Sequence, residues 1–490
     1  MLFPSFLMRC YLTVILVFAY GMSGAQVPLQ LNSINQHYLE YRHKPLILVT
    51  SAEHYGALIN LDFDYTSYLN AISQDGMNNT RIFSGTYVER PGDIAWMKSR
   101  NTLAPGPGKL IAPWPRSNVN GYAGGGNKFD LDHWDENYFI RLKDILSVAG
   151  SKSVMVELTL FGNQYKDSIW MNSPLYPDNN IQGDCPSGPN SFLLFETLKN
   201  KTLVLRQEAF VKKIVTELNA FDNVYYEICN EPHNDIIDTV AVNEWHVHMM
   251  QLIEATEAPL PKKHLIASNE VIINNPGISI VNYHYVRIPN MPGFDSLYSL
   301  NKVLSMDETV GSLIHSTIND VRLEAWDYIF KGGCIYNNLS WEYTTAVPKG
   351  TDSAKIIRVQ LHHLLKFMSG INYLKMSPDK FAVINKPANA VVRTLSESGK
   401  QYAIYLHHSI QKGSKFIVGY EAIIKRFKDT LTLQIPAGTY DLQFVNPSRG
   451  NFIGAKKTFT HTGGAKTFVT PYFITDIAIL LVKAKKKMNH

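Results

Sequence analysis

Residues 224–235 read VYYEICNEPHND, and how that stretch is understood decides the fold. From Val224 to Cys229 the side chains are β-branched, aromatic or small and apolar on both alternating faces, interrupted by Glu227. A strand apolar on both faces belongs in a parallel sheet that is covered on two sides. The run ends on Asn230 and Glu231. Pro232 then fixes its own φ and withdraws a backbone donor, so a ladder cannot continue through it. A carboxylate where such a strand surfaces is either a solvated turn or an acid at the mouth of a barrel.

Seven more runs of the same character surround it: PLILVTSAEHY (45–55), NTRIFSGTY (79–87), KSVMVELTLFG (152–162), HLIASNE (264–270), SIVNYHYV (279–286), KVLSMDETVG (302–311) and GCIYNNLSWEY (333–343). Stretches of helical period separate several of them, among them 203–221, 137–150 with Gly150 placed as a C-cap, 321–333 and 354–370. NEWHVHMM also reads as helix. Eight doubly apolar strands interleaved with helices predict a (β/α)₈ barrel. The fifth and sixth runs are close together, so their connection is the weakest part of the count. From about residue 376 the pattern turns to short alternating runs such as QYAIYLHHS, DTLTLQIP and DIAILLVKA, broken by Gly, Pro and Asn. That predicts a small antiparallel β-sandwich.

The chain's 490 residues leave room for both units, and 45% apolar content supports large cores. The predicted division is a signal peptide at 1–25, a catalytic barrel at 26–375, the sandwich at 376–484 and a basic tail at 485–490. Arg9, an apolar run from Cys10 to Met22, and Ser23 and Ala25 give the leader its signal-peptide layout. The expected product is secreted or periplasmic, with no membrane insertion after the leader is removed. The net charge of +5 is mild and forms no basic stripe interleaved with aromatics, which argues against nucleic acid. Beyond the leader, Cys185, Cys229 and Cys334 cannot make a disulfide framework, and their spacing fits no zinc module. Cys185, in a Gly/Pro-rich loop, is the one expected to be exposed.

Barrel active sites are built at the C-terminal ends of the strands. There the fourth run offers Asn230 and Glu231, the seventh Asp307 and Glu308, the second Arg81, the sixth His284 and Tyr285, the first His54, and the eighth Trp341. Two carboxylates facing each other across a barrel mouth suit glycoside hydrolysis, which needs one protonated and one ionised. Arg81 would hold one ionised, and a drier, apolar surround would keep the other protonated. Glu157 and Glu227 lie inside their strands and read as structural. The long connections 88–131 and 161–200 carry Trp96, Trp114, Trp134, Trp170 and Tyr165, some of which would stack on sugar rings. Asn337 and Tyr343 compete with Trp341 for such a role.

NEP leaving the fourth run, a glutamate closing the seventh and an arginine in the second together resemble clan A of the glycoside hydrolases. The likeness is to family 5-like and apiosidase-like members, over about residues 45–370. AGTYDLQFVNPSRG resembles the sandwich appended to many of them. The sixth run departs from the family: it reads NYHYV rather than the His-x-Tyr spacing of many family 5 members. The resemblance implies Glu231 as acid/base, Glu308 as nucleophile and Asn230 on the sugar 2-hydroxyl. It also implies Arg81 and Tyr285 orienting Glu308, Trp341 flooring the sugar subsite, and retention of anomeric configuration. The expectation is therefore a retaining O-glycosyl hydrolase of poly- or oligosaccharides, using neither cofactor nor metal, with His284 and His54 at the substrate. One alternative is a carbohydrate-binding barrel that has lost catalysis. Another is a metal-dependent hydrolase using His233, His246 or His284, for which no ligand spacing is present.

Overall fold

The computed structural model describes residues 27–90, 101–233, 238–285, 294–309, 316–413 and 418–484. The leader, the basic tail and Trp96 lie outside the described residues.

All eight runs form parallel strands: β1 (Leu48–Thr50), β2 (Asn79–Phe83), β3 (Met155–Gly162), β4 (Val224–Asn230), β5 (Ile266–Asn269), β6 (Ile280–His284), β7 (Val303–Glu308) and β8 (Ile335–Asn337). Each pairs with its sequence neighbour from β2 round to β8, and β8 pairs with β1. This is the ring order of a (β/α)₈ barrel. Among the described residues no backbone ladder joins β1 to β2. The side chain of Asn78 bridges that seam, accepting from the Val49 amide at 2.9 Å and donating to the Ile47 carbonyl at 2.8 Å.

The outer ring contains α1 (Tyr65–Gln74), α2 (Glu136–Ser151), α3 (Lys201–Leu218), α4 (Thr239–Glu257), α5 (Ile318–Phe330) and α6 (Asp352–Ser369). Asp64, Asp135, Asn200, Asp238, Thr317 and Thr351 cap their first turns by accepting backbone N–H bonds, as N-cap residues do. Helix α2 runs one residue past Gly150, and it is Ser153, at φ 57°, that takes the left-handed turn. The suspect connection between β5 and β6, residues 270–279, crosses without a helix. A three-stranded antiparallel ribbon (Gln30–Leu31, Leu39–Tyr41, Lys44–Leu46) closes the N-terminal end of the barrel, where the Leu29 amide bonds the carbonyl of Asp222 just before β4.

The antiparallel unit places β9 (Ala390–Glu397), β10 (Gln401–Gly413), β12 (Gly438–Asn446) and β14 (Asp476–Lys483) in one sheet. Strands β11 (Thr430–Ile435) and β13 (Gly464–Val469) form the facing one. Alternation along β10 explains why Gln401 to His408 are all buried. Tyr402, Ile404 and Leu406 point into the sandwich core with Leu431, Leu433 and Ile435. Ala403 and Tyr405 point the other way, into the barrel's core cluster. The larger sheet is thus a middle layer. Helix α5 lies between it and the barrel strands, and from Asp320 to Phe330 every residue is buried.

Candidate active site

The C-terminal ends of β2, β4, β6 and β7 bring Arg81, Asn230, Glu231, His284, Tyr285, Asp307 and Glu308 together. Three of the pairs are consecutive in sequence, and consecutive strand residues normally face opposite ways. Two local devices overcome this. The β6–β7 register shifts between Tyr283 and His284, so that Glu308 rather than Asp307 pairs with His284. Such a bulge lets two neighbouring side chains face one side. Elsewhere the second residue adopts a left-handed backbone: Glu231 at φ 47° and Tyr285 at φ 51°, with Tyr55 at 61° after His54 and Tyr165 at 48°. For non-glycine residues such conformations are strained and gather at functional sites.

Glu308 is the buried member of the acid pair, its side chain 2% exposed against 26% for Glu231. Its Oε1 accepts from Arg81 Nη1 at 2.8 Å and from the Tyr55 hydroxyl at 2.7 Å, and its Oε2 accepts from the Tyr285 hydroxyl at 2.7 Å. Burial alone would raise this carboxyl. Cationic His284 and Arg81, with the two tyrosine hydroxyls, outweigh burial and hold it down at about 2. The drier, apolar surround expected for the second acid is not found: Glu231 is the more exposed of the two. The drier acid of the pair, Glu308, is held ionised because it is surrounded by donors and positive charge.

Glu231 accepts from the Tyr165 hydroxyl on one oxygen and lies 2.9 Å from His284 Nδ1 on the other. Burial pulls the His284 imidazole down, but Glu308 and Asp307 outweigh it and lift it well above its ordinary value. His284 is therefore a cation wedged between both acids. One carboxylate oxygen of Glu231, one of Glu308 and a ring nitrogen of His284 lie within 4.8 Å of one another.

Beneath them is a second, buried layer. Arg81 Nη2 donates to Glu227 Oε2 and to Asn230 Oδ1, each at 2.6 Å, and its Nε lies 3.2 Å from Asp307. Asn282 Nδ2 lies 2.6 Å from Glu157 and 2.9 Å from Glu227. Burial, with Asp307 and Glu227 nearby, pushes the Glu157 carboxyl well up. Glu227 thus bonds Arg81 directly and Glu157 joins the same layer through Asn282, both below Glu231 and Glu308.

His54 lies four residues past the end of β1, fully buried beside the site, its ring tilted against Trp341 at 3.8 Å and Tyr55 at 3.7 Å, with Nε2 3.6 Å from Glu89. Asn337 and Tyr343 are buried, Asn337 accepting from the Ala52 amide and the Tyr343 hydroxyl donating to the Ser51 carbonyl. Trp114 and Trp170 are core residues, 1% and 0% exposed, and Trp134 packs on Trp114. Cys185 is buried at 6% exposure, contrary to expectation, because its loop folds down against Arg206 and its neighbours. Tyr55 was not anticipated. Its signal was its place next to His54, one residue beyond where alternation would have it face inward. Tyr165, one of the loop aromatics among which stacking residues were expected, bonds Glu231 through its hydroxyl.

His284 also completes two triads of possible metal donors, with Glu231 and Glu308 and with Glu227 and Asp307. Both lie against the Arg81 guanidinium, and tyrosine hydroxyls occupy carboxylate oxygens of the upper triad. The donor set suits a cationic frame better than a divalent ion. His233 is buried against Glu196 at 2.8 Å and His246 bonds the Val242 carbonyl, both apart from His284.

The chain as a whole has the architecture of solved glycoside hydrolases. It is similar to a family 5 glycoside hydrolase from Bacteroides vulgatus at 13% identity and a TM-score of 0.60, over 94% of each chain. It is also similar to another glycoside hydrolase at 12% identity and a TM-score of 0.59, over 94% of this chain and 98% of the other. At such identities the likeness shows the fold. No family model matches the chain, and no curated protein does.

Proposed function

We propose that the chain is a retaining O-glycosyl hydrolase of poly- or oligosaccharides. The observation that carries this reading is the short gap between the two acids, with carboxylate oxygens of Glu231 and Glu308 within 4.8 Å. Retaining enzymes hold the two carboxyls about 5–5.5 Å apart, whereas inverting ones leave about 6.5–9.5 Å for a water. Glu231, on the wetter side, gives its proton to the leaving glycosidic oxygen. Glu308 attacks the anomeric carbon, and the C–O bond to the leaving group breaks as the glycosyl ester forms. Glu231 then takes a proton from water, which attacks the same carbon and releases Glu308. Arg81, Tyr55 and Tyr285 keep Glu308 ionised and aimed. Asn230 is held by Arg81 where it can meet a sugar hydroxyl, and Trp341 and His54 wall the subsite. The leader's layout supports export, and no helix among the described residues is long and apolar enough to cross a membrane.

The test is hydrolysis of a panel of aryl glycosides and polysaccharides, followed by mass spectrometry after a 2-fluoro glycoside inactivator. Turnover should fall by several orders of magnitude in Glu308→Ala and Glu231→Ala with the circular dichroism unchanged, and the label should reside on Glu308. Near-full activity in either variant, or inverted product anomers by NMR, would overturn the reading.

A further inference from the structure

A second cleft of about 670 Å³ lies where the sandwich meets the first turn of α5. That turn is the first of the helix that follows β7, which places it at the end of the barrel where β7 finishes. Its walls come from Asn319 and Arg322 of the helix, the turn after β12, and a two-stranded ribbon pairing Arg426–Phe427 with Phe473–Ile474. Its size falls in the range of small-molecule and oligosaccharide sites.

The lining is basic and aromatic, with no acidic side chain. The Arg426 guanidinium lies over the Tyr472 ring at 3.9 Å, and the Lys428 ammonium lies 5.3 Å from the same ring. Among the described residues neither Arg426 nor Arg449 has a carboxylate partner; Arg322, by contrast, is committed to Asp476. Stacking holds Arg426 in place without using its N–H donors, as a preformed anion receptor requires. Phe452 and Tyr472 remain 56% and 55% exposed, offering apolar faces beside the charges. The Oδ1 of Asn319 is already taken by Arg322, which leaves its amide nitrogen as a donor.

We propose that this junction cleft binds an acidic glycan segment, one carrying carboxylate or sulfate groups, as a subsite separate from the catalytic pair. Guanidinium forks recognise such anions in bidentate fashion, exposed aromatic faces take the apolar side of a sugar ring, and amide nitrogens meet hydroxyls. Only the choice of a glycan, rather than another anion, rests on the function proposed for the barrel.

The experiment is isothermal titration calorimetry of the full chain with three probes: oligogalacturonate, a sulfated oligosaccharide and a neutral oligosaccharide of equal length. The two acidic arms distinguish carboxylate from sulfate. At least one acidic probe should bind at least tenfold tighter than the neutral one and weaken as salt rises. That binding should fall at least tenfold in Arg426→Ala/Arg449→Ala, persist in Glu308→Ala, and leave aryl-glycoside turnover of the double variant unchanged. Equal binding of neutral and acidic probes, absence of acidic binding at millimolar concentration, or loss in Glu308→Ala with retention in the double variant would each overturn it. Both arginines are exposed, so their removal leaves no buried partner. Binding is read without turnover, so a failure of the glycosidase reading would show separately as absent hydrolysis.

Discussion

Arg81 is 1% exposed and touches Glu227, Asp307, Glu308 and Asn230 at once. Removing a buried cation that compensates carboxylates leaves them unpaired in a dry place, which costs about 3–5 kcal/mol. Arg81→Met should therefore lower the unfolding free energy measured by urea denaturation by that much. The acid limb of any activity should also move to higher pH as Glu308 loses its guanidinium. Arg81→Lys keeps the charge but not the fork, and should recover only part of the loss. A loss of under 1 kcal/mol in the methionine variant would contradict the frame described. Glu308 itself gives a pH signature. Its folded value of about 2 lies below the ordinary 4.5, so its stabilisation is present above pH 4.5 and lost as pH falls toward 2. The amount is on the order of 3 kcal/mol. Between those pH values the wild type should lose more unfolding free energy than Glu308→Gln, and parallel curves would contradict the assignment. His284 has the opposite sign. Its folded value is raised, so its contribution is complete below about pH 6.5 and fades as pH rises through the elevated value.

At the level of elements, the barrel depends on a seam closed by one amide side chain. Asn78→Ala leaves the Val49 N–H and the Ile47 carbonyl without that partner. It should cost about 1–3 kcal/mol and speed exchange of the Val49 amide by a factor matching that loss. Unchanged exchange would mean that the seam is held by packing alone. Asn78 also begins one of the sequence's Asn-x-Thr triplets, but the fold employs its amide in the barrel wall. The strands were legible because a strand buried on both faces is mostly apolar, a pattern that survives without knowledge of its partners. The site was legible where it rested on the same rule, namely what each apolar run ends on. What the sequence hid were departures from alternation. The register shift at β7 and the left-handed residues after β1, β4 and β6 depend on the surrounding packing rather than on Gly or Pro signals. Tyr55 and the opposite burial of the two acids went unseen for that reason.

Over the whole molecule, the sandwich and the barrel share buried charge. Arg322 and Asp476 meet at 2.9 Å with side chains 3% and 1% exposed, Arg393 reaches Asp327 at 2.6 Å, and the Tyr420 hydroxyl reaches Asp327 at 2.7 Å. Trp326 stacks on Tyr405 across the same boundary. Two units joined in this way should melt as one. Differential scanning calorimetry should give a single transition, and Asp476→Ala should lower it by about 3–5 kcal/mol of stability, since it leaves Arg322 buried without its partner. Two resolved transitions in the wild type would show the units to be independent. A chain cut after residue 375 should fail to accumulate as soluble protein, because Trp326 and the polar face of α5 would lose their cover. This dependence could not be read from sequence: the interface residues alternate along β10 like any half-buried strand, and nothing in the pattern says that the second face is covered too.

Four residues in contact with the acid pair or forming part of it, Tyr55, Tyr165, Glu231 and Tyr285, hold backbones that glycine would adopt without strain. Each costs about 1–3 kcal/mol in that conformation. The three tyrosines offset that strain with packing and with hydrogen bonds to the acids, whereas Glu231, 26% exposed, offsets it least, so laboratory evolution for heat resistance alone, with no selection for turnover, should converge on glycine or asparagine at position 231. The variants so obtained would be hardier and inert. Sequencing the survivors of such a selection would show whether the chain's resistance to heat and its chemistry are opposed at that position.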